Sequence, residues 1–153
     1  EAARNLDDES FFGKDLLVCP LTLEDGTSRE VYLPEGNWYN FFTGEKIEGG
    51  RRLVLEADWN EMLVFARDGA LVPVAEPVIC VTEDTVFNIT VKSFGTNKTG
   101  SCVLYEDDFV SFNYESLVAK KQINVTVGDN GKFIVSGAKT STKYHFLNCI
   151  VKD

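Results

Sequence analysis

The chain has 153 residues, 44% of them hydrophobic with 11 phenylalanines, and its 24 acidic against 15 basic residues leave a net charge of −9. That apolar content supplies the buried area for one folded domain or two small ones and excludes a disordered chain. The negative charge disfavours a phosphate backbone or an anionic membrane surface, so no nucleic-acid or membrane partner is expected, whereas a neutral partner such as a sugar stays open.

A membrane helix needs roughly 18 apolar residues in a row, and runs such as Leu16 to Val18 or Met62 to Ala66 break within a few positions. The expectation is a soluble chain. Glu1 opens it without a basic and then apolar leader, so no export signal of its own is recognisable and Glu1 reads as a cut site. Of the compartments, a periplasmic or secreted location is expected over the cytoplasm.

Apolar and polar residues alternate with a period of two along the whole chain, and no window holds the i, i+3, i+4, i+7 pattern of a helix. In chain order, strands are expected at Asp15–Cys19, Arg29–Leu33, Trp38–Phe42, Arg51–Glu56 and Met62–Ala66, then at Thr85–Val91, Ser101–Tyr105, Gln122–Val127, Lys132–Ser136 and Lys143–Val151. Phe87, Ile89 and Val91 share one face against Asn88 and Thr90; Ile123, Val125 and Val127 share one against Asn124 and Thr126. Glycine-containing turn clusters separate the strands. Asp129-Asn130-Gly131 is the strongest hairpin signal, because Asn-Gly accepts the positive φ of a tight turn. Pro73 and Pro77 bracket a connector at Val74–Glu76 that cannot be a central strand. Short strands at this spacing predict an all-β fold of two small antiparallel β-sandwich domains.

Residues able to carry chemistry are few. Cys19, Cys80, Cys102 and Cys149 show no CxxC spacing and have only His145 to join them, so no metal is expected. Cys19 and Cys149 lie in apolar runs and read as buried thiols; pairing among Cys80, Cys102 and Cys149 would need an oxidising compartment, and the spacing leaves the choice open. Glu106-Asp107-Asp108 could supply paired carboxylates for glycoside hydrolysis or oxygens for calcium, against the plainer reading of a solvated turn. Trp38, Tyr39, Phe41 and Phe42 alternate on a strand apolar on both sides, which is the pattern of a buried strand.

Trp59, in the polar loop Asp58-Trp59-Asn60-Glu61, is the ring expected at the surface and the one candidate binding residue, for a glycan or a neighbouring domain. Three N-x-T sequons, at Asn88, Asn97 and Asn124, could accept glycans, although outward Asn and Thr need no such explanation. His145 lacks a nucleophile or ligand set and reads as a packed or surface histidine. No glycine-rich phosphate loop occurs, so no nucleotide cofactor is expected.

One stretch is more specific. Phe11-Phe12-Gly13-Lys14-Asp15-Leu16-Leu17-Val18-Cys19-Pro20, preceded by Asn5 to Glu9, runs into Arg29-Glu30-Val31-Tyr32-Leu33-Pro34. Gly36, Trp38-Tyr39, Thr43-Gly44 and Gly49-Gly50 follow, and Phe65-Ala66-Arg67-Asp68-Gly69-Ala70 leads to Pro73. In order and spacing this resembles the segment that follows the catalytic barrel in glycoside hydrolase family 31, the α-glucosidase and α-xylosidase family. Asp84 to Ile89 and Leu104 to Asp108 resemble its distal sandwich.

Departures are Phe12 in a Met-Phe phrase, Cys19 where Ala is frequent, and Phe109 where Gly is usual. The resemblance implies a barrel remnant at 1–13, a proximal C-terminal sandwich at 14–76 and a distal one at 77–153. It also implies a retaining parent enzyme whose two catalytic Asp residues lie upstream, so that no catalytic residue is expected here. The expected partner is then the catalytic barrel of the same polypeptide, with an oligo- or polysaccharide as a further one.

Overall fold

A computed structural model describes residues 7–22, 27–58, 60–95, 99–105, 112, 120–127, 133–136 and 143–152. Every regular element among them is a strand, and the chain divides into two compact units. The first comprises residues 1–70 with 94–96 and 152–153; the second comprises 71–93 with 97–151.

In chain order the first unit holds β1 (Ser10–Phe12), β2 (Leu16–Cys19), β3 (Ser28–Leu33), β4 (Asn37–Asn40), β5 (Lys46–Glu48), β6 (Arg51–Glu56) and β7 (Leu63–Arg67). They form a five-stranded sheet in the order β1-β2-β7-β4-β5 and a two-stranded sheet of β3 and β6. Between them lies a core of Leu17, Cys19, Val31, Leu33, Trp38, Leu63 and Phe65. Register explains its composition, because directly paired residues share a face: Leu17 stands opposite Phe65, Cys19 opposite Leu63, and Val31 opposite Leu53.

The central strand β7 is buried on both sides from Leu63 to Ala66. Its other face carries Ala66 beside Tyr39, and the Tyr39 ring lies 6.4 Å from that of Phe94, with Phe41 5.7 Å from the same ring. Gly49 permits the two turns of this sandwich to meet. Its N–H donates to the Gly36 carbonyl at 2.7 Å, and a Cβ there would fall on the Pro34 carbonyl oxygen.

Strand β4 stops two residues before the expected end at Phe42. Asn40 Oδ1 accepts the backbone N–H of Phe42 at 2.9 Å and of Thr43 at 3.0 Å. This side-chain mimic of a turn competes with the ladder and ends the strand. Phe42 is consequently 56% exposed instead of lining a core.

In the second unit, β8 (Leu71–Ala75), β9 (Phe87–Phe94) and β13 (Tyr144–Lys152) make one sheet in the order β13-β9-β8, while β10 (Thr99–Tyr105), β11 (Lys120–Val127) and β12 (Phe133–Ser136) make another. Leu71, Ile89 and Val91 are its buried centre, with Phe87, Cys102, Leu104, Tyr144 and Cys149 packed against them. The expected alternation of β9 holds, with Ile89 and Val91 buried and Phe87 half-buried. Strand β8 extends through Pro73 to Val74 and Ala75, two residues of the expected connector; it stands at the end of its sheet order, the place where a missing N–H is tolerated. Strands β11 and β12 pair antiparallel with Val127 opposite Phe133, as the Asn-Gly signal requires. The turn itself, and the inward set expected at Ile123, Val125 and Val127, lie outside the described residues and side chains.

Candidate functional site

Counting back by two from Leu33 and Val31 places Arg29 on the core face of β3. A guanidinium in that position needs partners, since an unpaired buried charge is prohibitive. Its side chain is 7% exposed and Nη2 lies 2.7 Å from Asp8 Oδ2, off the N–H axis, so the contact is an ion pair without a hydrogen bond. Nη1 donates to the Asp8 carbonyl at 2.9 Å and to the Pro20 carbonyl.

Glu9 extends the cluster: Oε1 accepts the Tyr32 backbone N–H at 3.2 Å and Oε2 accepts the Cys19 thiol at 3.6 Å. Burial first, then the Glu9 carboxylate, push the Cys19 thiol up to about 12, against a smaller downward pull from Arg29. Cys19 is therefore a protonated donor at neutral pH and not a nucleophile. Together these groups tie the segment before β1 onto β2 and β3. A groove of about 410 Å³ opens beside them, lined by Asp8, Glu9, Thr22, Arg29, Glu30 and Arg52.

A second cluster of the first unit is aromatic. Trp38 is buried, and its indole N–H donates to the Pro34 carbonyl at 2.8 Å. The Arg67 guanidinium lies 5.4 Å from the Trp38 ring and 5.5 Å from that of Phe11, close enough for cation–π attraction to both. Phe11 is 48% exposed and Phe12 is 73% exposed, so β1 presents two large rings to its surroundings.

A second groove of about 350 Å³ is lined by Asn40, Phe42, Glu56, Asn60, Glu61 and Met62 among others. Phe42 and Met62 are exposed there beside polar carboxylate and amide groups. Apolar surface for a ring face together with acceptors and donors for hydroxyls is the chemistry a sugar would require.

Of the residues singled out by sequence, Trp38 is a core anchor, while Trp59 lies outside the described residues; its neighbours Asp58 and Asn60 are exposed, and Glu61 N–H closes the loop on the Asp58 carbonyl at 2.8 Å. Glu106-Asp107-Asp108 and the Asn97 sequon also lie outside the described residues. His145 is exposed on β13. Asn88 is half-buried and its amide donates to Glu76 Oε2 at 2.8 Å. Among the described residues no three His, Cys, Asp or Glu side chains gather as a metal set. The Arg29 cluster was not anticipated from sequence, although the alternation Arg29, Val31, Leu33 contains the signal: a charged residue in phase with buried ones.

The profile of the Glycosyl hydrolase family 31 C-terminal domain matches residues 1–72. The chain is a C-terminal region of glycoside hydrolase family 31. This family 31 region is 33% identical over 147 residues to a 1,6-alpha-glucosyltransferase of Sporosarcina globispora, covering 92% of the chain and 11% of that protein. With an alpha-xylosidase of Saccharolobus solfataricus it shares 34% over 112 residues, 72% of the chain and 15% of the relative. A family 31 dextranase of Flavobacterium johnsoniae, solved with glucose, superposes with a TM-score of 0.72 at 30% identity over 85% of the chain and 16% of that structure. The family 31 region thus spans less than a fifth of the relatives it matches.

Proposed function

We propose that this family 31 region is a non-catalytic support for the catalytic barrel of its own polypeptide, built as a proximal and a distal sandwich. The observation that carries this reading is the match of residues 1–72 to the family's C-terminal domain. The Arg29–Asp8 and Glu9–Cys19 contacts support it: they fix the direction in which polypeptide arrives at the sandwich. The parent would cleave α-glucosides or α-xylosides with retention through two barrel aspartates, one as nucleophile and one as acid and base. Its expected location is the periplasm or outside the cell, which fractionation of the parent's host would test.

The isolated chain, assayed against aryl α-glucosides and α-xylosides, is expected to give no turnover, and clear turnover would overturn the assignment. Removing this region from the parent should leave an unstable or insoluble barrel; a stable, fully active truncation would defeat the supporting role.

A second reading, that the region also holds saccharide, is favoured by the groove with exposed Phe42 and Met62 beside Glu56 and Asn60. Calorimetry with maltooligosaccharides and xyloglucan fragments tests it, and the absence of heat that is lost on Phe42→Ala would remove it.

A further inference from the structure

The core of the second unit contains two of the four cysteines. Cys102 on β10 and Cys149 on β13 belong to different sheets, yet both pack on the same buried cluster of Leu71, Ile89 and Val91. On β10, Cys102 and Leu104 are half-buried while Ser101 and Val103 are exposed, so Cys102 is on the inward face. On β13, Cys149 is half-buried between exposed Asn148 and Ile150. Burial first and then Cys102 push the Cys149 thiol up to about 11.

The other cysteines are placed elsewhere. Cys80 is exposed in an irregular stretch before β9, and Cys19 is buried in the first unit with its thiol on Glu9. The spacing of the cysteines leaves their pairing open; the fold places Cys102 and Cys149 on one buried cluster.

We propose that Cys102 and Cys149 are a disulfide-forming pair, which in an oxidising environment joins the two sheets of the second unit across its core. The oxidant is a small-molecule disulfide such as glutathione disulfide. One cysteine, as thiolate, attacks a glutathione sulfur and releases one glutathione; the second, on losing its proton, attacks the mixed disulfide and releases the other. The protein gives up two protons and two electrons, and one glutathione disulfide becomes two glutathione thiols. Because the nucleophile is the thiolate and the site is partly desolvated, crosslinking is slow at neutral pH and accelerates as pH rises. The bond closes the long stretch of chain from β10 to β13, which constrains the unfolded state more than the folded one.

The test uses the whole chain. It is incubated with glutathione disulfide at pH 8, alkylated with N-ethylmaleimide, digested and read by mass spectrometry. The expected product joins the peptide of Cys102 to that of Cys149 and leaves Cys19 and Cys80 alkylated or glutathionylated. The oxidised chain should melt higher than the reduced chain by on the order of 10 °C for the second unit's transition, reversibly with dithiothreitol.

Cys102→Ser or Cys149→Ser should abolish the crosslink, and Cys80→Ser should leave it intact. Glutathione adducts without a crosslink, a crosslink through Cys80, or a lower melting temperature on oxidation would each overturn the proposal. The peptide map is read on the unsubstituted chain, so it decides the matter even if a serine variant folds poorly.

Discussion

The first unit buries Trp38, Tyr39, Phe65 and Phe94, together with aliphatic side chains from both of its sheets, whereas the buried centre described for the second is Leu71, Ile89 and Val91 with half-buried residues around it. The central strand of the first, β7, is closed on both faces from Leu63 to Ala66. In β9 of the second, half-buried Asn88, Thr90 and Lys92 alternate with the buried set. The Arg29 cluster belongs to the first unit. The second unit has instead a pair of cysteines packed on its buried centre.

That contrast can be broken most directly by truncation. Trp38→Ala should destabilise the first unit by about 3–5 kcal/mol, and Val91→Ala the second by about 2 kcal/mol, since the removed volume and the cavity left behind both scale with the side chain. Urea unfolding followed separately for the two units would read this, and equal losses would mean that the cores are equivalent in energy despite their composition.

Next in size is Arg29→Met, expected to cost about 2–3 kcal/mol, the low side of breaking a buried ion pair because Asp8 keeps contact with water. Adding Asp8→Asn to the same chain should restore part of the loss, and a strictly additive pair would show that the two residues do not interact.

A smaller effect follows from Cys19. Its folded pKa is raised from 9.0 to about 12, so the unfolded chain releases this proton first as pH rises. The sign is therefore a stability unaffected below about pH 9 and falling between about pH 9 and 12. Melting curves at pH 8 and pH 10.5 should show a larger drop for the natural chain than for Cys19→Val. The smallest effect is expected for Glu30→Gln, which breaks the exposed pair with Arg52 on the outer face of the two-stranded sheet and should change stability by less than about 0.5 kcal/mol.

Much of the architecture was legible without coordinates. Strand-length alternation in Arg29–Leu33, Arg51–Glu56 and Phe87–Val91 survives as β3, β6 and part of β9, because a period of two leaves one face apolar whatever that face meets. The short strands β1 and β5 were not foreseen: three residues such as Lys46-Ile47-Glu48 carry too little pattern, and Ile47 is recruited by standing opposite Trp38. The end of β4 at Asn40 was missed because a single amide oxygen outcompeted two aromatic residues for the backbone. Trp59, preferred for its polar neighbours, lies outside the described residues, and the grooves that are described are lined by residues from separate strands and turns.

By itself the sequence determined the all-β class, most strand positions, the acidic surface and the likeness to a family 31 C-terminal region, since all of these depend on residue type and near spacing. Only the tertiary structure decided that Arg29 would meet Asp8, that Glu9 would reach both Cys19 and Tyr32, and that Cys102 and Cys149 would share one core. Those pairings join residues distant along the chain, and their energies come from burial, which exists only once the sheets have closed on each other.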